Sequence, residues 1–185
     1  MDDRLHFTDS DEANELLVRD PLALLIGFAL DQQVTVQKAF MGPLVLLERV
    51  GTLDAAALAT MDLEPVFRLR PAIHRFPGAM ARRVRDLAAH VAERYDGDGA
   101  RVWTGAASTA ELKERMEALP GFGDMKVKAL SAVLAKRLDV ALAEPLVPPH
   151  PTLGDVDSAQ ALAEYQAGKR AHKASLRAAA AAAER

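Results

Sequence analysis

Apolar positions recur at helical spacing along most of the chain. Between residues 80 and 95, Met80, Val84, Leu87, Val91 and Tyr95 follow one another at intervals of three or four residues. This interval places them on one face of a helix, whereas a half-buried strand would alternate apolar and polar residues. Alanine, the strongest helix former, is abundant, and strand-like alternation is scarce. The pattern therefore predicts an all-α fold.

Breakers and capping residues set the ends of the predicted helices. Asp9 or Ser10 caps the first helix, Pro21 opens an almost uniformly apolar second one, and Ser108 to Glu111 has the form of a capping box. The predicted helices span about 11–18, 21–30, 34–50, 54–60, 63–69, 80–95, 109–119, 124–138 and 159–182. The second, apolar on all sides, is expected at the centre of the fold.

Composition divides the chain into four segments. Residues 1–20 form an acidic N-terminal arm or helix, and residues 21–144 hold the main helical domain. Residues 145–158 contain four prolines and are predicted to be a stiff linker. Residues 159–185 are predicted to form a basic, alanine-rich C-terminal helix.

The absence of cysteine excludes several kinds of site. Without thiols the chain cannot form disulfides, thiolate metal sites or an iron–sulfur cluster. The longest apolar run, 21–30, is too short to cross a bilayer, and the first residues are acidic rather than basic. We therefore expect a cytoplasmic protein without membrane contacts, in a reducing compartment.

Charge is distributed unevenly along the chain. The net charge is −3, yet residues 1–20 hold seven acids and residues 68–85 hold six arginines and no acid. The last segment adds further cations, among them Lys169, Arg170, Lys173 and Arg177. Such a basic side can attract a polyanion, or it can simply be a set of solvated helix faces. Charge alone leaves both interpretations open.

The segment Leu119-Pro120-Gly121-Phe122-Gly123 carries the most specific signal. It lies between two predicted helices, and its glycines permit a tight turn around an inward-facing Phe122. The N–H groups at the start of the next helix would then point outward and favour an anion. Lys126 and Lys128 follow directly.

Taken together and in this order, four features resemble the HhH-GPD superfamily of base-excision-repair DNA glycosylases. They are the apolar helix ending in Asp31-Gln32-Gln33, the Arg/Pro loop at 68–77, the arginine-rich helix after it and the Gly-Phe-Gly hairpin. The similarity covers about residues 21–138, and it is greatest to a small actinobacterial-type group. It implies an all-α helix-hairpin-helix glycosylase-like fold that holds double-stranded DNA.

The resemblance also implies roles for individual residues. The hairpin would hold a phosphate through N–H groups around Gly121, Gly123 and Met125, and Gln33 would fill the gap left by an extruded base. The DNA-binding set would also include Arg75, Arg82, Lys126 and Lys128. Backbone carbonyls of Leu119 and Gly121 could hold K⁺ or Na⁺; no other cofactor or metal is expected.

Two departures from the family limit what the resemblance implies. Met125 occupies the position where bifunctional members carry a Schiff-base lysine, so strong strand-cleaving activity is not expected, and we predict Lys126 to be a phosphate-facing surface charge. Ala143 occupies the position of the family's catalytic aspartate. The local context of that aspartate reappears at Asp155, which becomes the candidate catalytic residue, while Asp157 is interpreted as a helix cap.

Three hypotheses follow for function. The first is a monomeric, monofunctional DNA N-glycosylase that flips a damaged or modified base and hydrolyses its glycosidic bond. The second is a non-catalytic helix-hairpin-helix DNA-binding protein that has lost the catalytic aspartate. The third is a helical module whose acidic and basic ends mediate self-association.

Overall fold

The computed structural model describes residues 2–183, and every regular element in this range is helical. The all-α prediction is thus confirmed; residues 1, 184 and 185 of the predicted end segments lie outside the described range. The helices are α1 (Asp11–Arg19), α2 (Pro21–Leu30), α3 (Val36–Val50), α4 (Ala55–Thr60), α5 (Glu64–Arg68), α6 (Pro77–Tyr95), α7 (Arg101–Thr104), α8 (Thr109–Glu117), α9 (Asp124–Arg137) and α10 (Ala159–Ala183). Two short 3₁₀ helices span Ala141–Leu146 and Leu153–Asp155.

Helix α2 lies at the centre of the core, as its composition predicts. Every residue from Leu22 to Leu30 is buried. The Asp20 carboxylate caps its start by accepting from the N–H groups of Leu22 and Ala23. Helices α1, α3 and α6 pack around it. Because each large apolar side chain contributes about 1.5–3 kcal/mol on burial, α2 is a main source of stability.

The acidic N-terminal segment is part of this core rather than a separate arm. Leu5 and Phe7 are fully buried, and Phe7 meets Phe40 of α3 edge-on. The buried Asn14 carboxamide accepts from the N–H groups of Phe7 and Thr8 and so fixes the entry to α1. Ser10, one of the two predicted caps, caps α1 by accepting from Ala13.

Side chains from outside the 69–76 loop hold it in place. Arg49 donates to the carbonyls of Val66, Leu69 and Pro71. Within the loop, the buried His74 contacts the Leu30 carbonyl through Nε2, at 3.1 Å, while its Nδ1 accepts from the Phe76 N–H. The loop is therefore fastened to the end of α2.

The capping box at the start of α8 differs from the predicted one in a single bond. Ser108 accepts from the Glu111 N–H, as expected. The Glu111 carboxylate, however, reaches the N–H of Ala107 rather than that of Ser108. It also accepts from Arg115 one turn later, so the start of α8 is well fixed.

The proline-rich segment at 145–158 packs along α9 instead of standing free as a linker. Thr152, Leu153 and Val156 are buried. Gly154 lies so close to α9 that a Cβ there would be 2.4 Å from the Ala132 carbonyl oxygen. The prolines give the segment its stiffness, but only the tertiary contacts show that it belongs to the main body.

Only the first turns of α10 pack against the body. Leu162 is buried and Tyr165 is half-buried, whereas residues 167–180 are all exposed. None of the helices within 2–183 has the length and apolar character needed to cross a membrane.

Candidate nucleic-acid interface

The hairpin between α8 and α9 has the predicted shape, but its two glycines have different roles. Gly121 adopts a positive φ of 84°, which glycine alone adopts without strain. Phe122 is buried, and its N–H donates to the Leu119 carbonyl. Gly123 is extended, at φ −99° and ψ 178°, and a Cβ there would meet no atom within 4 Å. Only the first glycine is thus required by the backbone.

The start of α9 leaves backbone donors exposed. Gly123 is the N-cap and has no side chain to accept from the first turn. Its carbonyl accepts from Lys126 and Val127, while the N–H groups of Asp124 and Met125 donate to no acceptor among residues 2–183. These N–H groups, with the helix dipole behind them, favour an anion.

Arg83 of α6, which the sequence analysis left out of the candidate site, connects the hairpin to the end of α2. Its side chain lies against Gly121, where a Cβ would be 2.6 Å from Arg83 Cδ. Its guanidinium donates to the Gln32 Oε1 atom. An open groove of about 340 Å³ runs beside it, lined by Ala79, Arg82, Arg83, Asp86, Pro120 and Gly121.

Three predicted DNA-binding residues surround the end of α2 and the groove. Gln33 is exposed and has a positive φ of 56°, unusual for a residue with a side chain. Arg75 lies next to it, 3.5 Å from the Gln33 carbonyl, with its guanidinium over the exposed Phe76 ring. Arg82 is exposed in the groove and 4.0 Å from Glu64.

The sequence predicts Lys126 to be a phosphate-facing surface charge, which would point towards solvent. In the structure its side chain points inward instead. Its Nζ donates to the Ala29 carbonyl at 3.1 Å, near the end of α2. Burial lowers the pKa of Lys126 to about 8, with Arg83 acting in the same direction and Asp31 opposing it. Met125, one residue earlier, is 71% exposed. The two side chains diverge because successive helix residues are about 100° apart.

Lys128 is engaged by a neighbouring acid. Its ammonium lies 2.7 Å from Asp124 Oδ2, one turn earlier on α9. The carboxylate of Asp124 occupies the anion-favouring end of the helix. A phosphate bound there must therefore compete with Asp124 for both the N–H groups and Lys128.

Asp155, the candidate catalytic residue, has both carboxylate oxygens engaged. One accepts from Lys136 Nζ at 2.5 Å, and the other accepts from the N–H and hydroxyl of Thr152 in a capping box. Partial burial opposes its charged form, but these hydrogen bonds outweigh it and hold the pKa of Asp155 below its ordinary value. This geometry gives Asp155 a structural role, and its catalytic role stays a prediction.

No metal ligand set is visible in the described part of the chain, since no three His, Asp or Glu residues converge there. The Leu119 carbonyl, one of the two predicted to hold a monovalent cation, already accepts from Phe122. Carbonyl oxygens have a second lone pair, so this bond leaves the predicted cation site untested.

The outer part of α10 forms a second basic surface. Lys169, Lys173 and Arg177 are exposed and recur every four residues, so they lie on one side of the helix. Successive cations are about 6 Å apart along the axis. No acidic residue occurs between Tyr165 and Ala183.

No family model, curated protein or solved structure matches this chain. The interpretation of the site therefore rests on its geometry and on the sequence motifs.

A matched pair of serine substitutions tests the different roles of the hairpin glycines. Gly121→Ser places a side chain at a positive φ and against Arg83, so we expect a loss of about 1–2 kcal/mol in the free energy of unfolding. Gly123→Ser has room and introduces a favoured N-cap, so stability should be unchanged or higher. Urea denaturation of both variants measures the difference; equal losses would contradict it.

The burial of Lys126 predicts a pH-dependent stability. Between its folded pKa of about 8 and its ordinary 10.5, the unfolded state holds the proton that the folded state has lost. The contribution of Lys126 to stability should therefore rise as pH rises through this window. Denaturation of wild type and Lys126→Met at pH 7.5, 9 and 10.5 isolates this contribution, because the other titrating groups are common to both. A constant difference across the window would show that Lys126 is not desolvated.

Proposed function

We propose that this protein binds double-stranded DNA through the hairpin, the start of α9 and the arginine face of α6, with a helix-hairpin-helix glycosylase-like fold. The observation that carries the proposal is the contact of Arg83 with Gly121. It brings a guanidinium-lined groove beside the unpaired N–H groups of α9. Backbone N–H groups and arginines are common phosphate ligands in protein–DNA contacts, and they carry no sequence preference.

The positions of other residues support the same binding face. Exposed Gln33 and Arg75 lie at the end of α2, which Arg83 links to the groove. The basic stripe of α10 offers further charge for the phosphate backbone. A net charge of −3 does not oppose this, because charge is unevenly distributed: seven acids lie in the first twenty residues, whereas residues 68–85 hold six arginines and no acid.

We further propose that the bound nucleotide is flipped and its N-glycosidic bond hydrolysed, as in the base-excision-repair enzymes that the sequence resembles. The loops at 31–35 and 69–76, which adjoin the end of α2, would contact the flipped base and recognise the lesion. This protein would be monofunctional, since Met125 stands where bifunctional relatives carry their lysine.

The alternative of a non-catalytic DNA-binding protein is favoured by one observation. Asp155 uses both carboxylate oxygens in structural hydrogen bonds, and Ala143 is a buried apolar residue. If no other carboxylate serves the reaction, the protein retains DNA binding without chemistry.

Salt-dependent binding tests the interface. With about four to six phosphate contacts, the affinity for an undamaged duplex should fall with a log–log slope near −4 to −5. Each of Arg82→Ala and Arg75→Ala should reduce the slope by about one. Arg94→Ala, about 18 Å further along α6 from Arg82, is the matched control and should leave it unchanged. A wild-type slope near zero would exclude DNA binding and favour the self-association hypothesis.

Base release tests the chemistry. Wild-type protein is incubated with duplexes that carry uracil, alkylated purines, oxidised pyrimidines or mismatches, and abasic sites are revealed by hot alkali. We expect release from at least one of them, with little strand cleavage before alkali. Salt-sensitive binding without release from any duplex would support the non-catalytic alternative.

A further inference from the structure

A half-buried carboxylate at the end of α2 belongs to no predicted site. Asp31 is the C-cap of this helix, and its N–H donates to the carbonyls of Gly27 and Phe28 at 3.1 and 3.2 Å. The backbone is therefore fixed on the most buried helix of the fold. Asp31 directly precedes Gln32 and Gln33 in sequence, and it belongs to the loop that faces the DNA in the proposed function.

The Asp31 carboxylate differs from that of Asp155, whose two oxygens both accept hydrogen bonds. Among residues 2–183 it accepts no hydrogen bond and has no cationic nitrogen within 4 Å. The other half-buried aspartate of this helix, Asp20, is bonded to two N–H groups as a cap. The Asp31 carboxylate is half-buried and keeps some contact with solvent, so it is open to a ligand rather than committed to structural bonds, which favours a functional reason for it.

Groups from two other helices lie near Asp31, and a third helix contacts its neighbour Gln32. Lys126 of α9 is fastened to the Ala29 carbonyl, two residues before it. Tyr165 and Lys169 of α10 lie near it, with the Lys169 ammonium 5.3 Å from the centre of the Tyr165 ring. Arg83 of α6 is bonded to the adjacent Gln32. Helix α9, the groove residue Arg83 and helix α10 thus all meet the end of α2 around Asp31 and Gln32.

The titration behaviour of this cluster is suited to proton transfer. Burial raises the pKa of Asp31, against the ammoniums of Lys169 and Lys126. Burial and the nearby Asp31 and Asp155 raise the pKa of Tyr165 to about 12, so its phenol stays a hydrogen-bond donor at neutral pH. A carboxylate with a raised pKa is a more effective general base near neutrality than an ordinary one.

We infer that Asp31, and not Asp155, is the carboxylate that assists hydrolysis of the N-glycosidic bond of a flipped deoxynucleotide; this rests on the proposed function. Water adds to C1′ as the C1′–N bond breaks, and the bonding electrons leave with the base. Asp31 takes the proton from the attacking water, and that proton passes to the departing base nitrogen. The products are the free base and an abasic sugar.

Lys126 and Tyr165 are positioning residues in this arrangement. The ammonium of Lys126 favours the ionised form of Asp31, and the phenol of Tyr165 can donate to the sugar or to the leaving base. Because α10 supplies Tyr165 and Lys169, its first turns form one wall of the site. The DNA-facing side of that wall is formed by the loop that begins at Asp31.

Asparagine substitutions separate the two candidate carboxylates. On whichever duplex the wild type acts, single-turnover base release should fall at least about 100-fold in Asp31→Asn, while DNA affinity and thermal stability are retained. Asp155→Asn should keep most of the activity and lose stability, because it breaks the Thr152 and Lys136 contacts. Asp9→Asn, at an exposed carboxylate outside the cluster, is the matched control.

The pH profile distinguishes catalysis from a structural effect. The wild-type rate should fall with decreasing pH through an apparent pKa above that of an ordinary aspartate. Asp31→Glu should retain partial activity, with the fall in rate at low pH shifted to a different apparent pKa. Asp31→Asn should leave a residual rate that no longer shows this fall. A structural defect would lower the rate by a similar factor at every pH.

The outcomes separate this inference from the proposed function. If wild type releases base and Asp31→Asn does so equally well, the inference is overturned while the glycosylase proposal stands. If Asp155→Asn alone abolishes release, Asp155 is the catalytic residue and the inference is again overturned. If wild type releases no base from any duplex, the proposed glycosylase activity fails, and the role of Asp31 fails with it.

Discussion

The carbonyl-rich end of α2 is the point on which the candidate site depends. A helix leaves its last carbonyls without partners, and a buried helix must find them elsewhere. Here His74 contacts the Leu30 carbonyl and Lys126 bonds that of Ala29. Two segments distant in sequence are thereby fastened to one helix terminus. The same bonds hold the 69–76 loop and the start of α9 against the end of α2.

The charge pattern of the site follows from this arrangement. Lys126 is drawn into a half-buried position because it satisfies a carbonyl, and its pKa falls as a result. Arg83 remains near solvent, where its guanidinium serves the groove. The cations of the site are thus divided between inner and outer positions. Exposed cations can neutralise the phosphates of a nucleic-acid backbone. A half-buried cation beside a carboxylate is instead typical of sites where the pKa of a functional group is shifted.

The contrast between Asp31 and Asp155 shows why a motif alone is a weak guide to catalysis. An aspartate at a helix end can have a similar local sequence whether its carboxylate caps the chain or meets a substrate. Asp155 has Thr152 and Lys136 as bonded partners, whereas Asp31 has none among the described residues. Local sequence could not separate the two, because the partners of Asp155 include a side chain nineteen positions away.

The amino-acid sequence by itself determined the helical class, most helix positions, the central α2 and the turn at Gly121, since these depend on local periodicity, capping and backbone freedom. It did not give the short α7 or the two 3₁₀ helices, whose few residues carry no periodic signal. It also missed the packing of residues 145–158 on α9 and the inward turn of Lys126. Those features depend on which surfaces meet after folding: a carbonyl of α2 selects the partner of Lys126, and close backbone contact at Gly154 turns a proline-rich segment into part of the core.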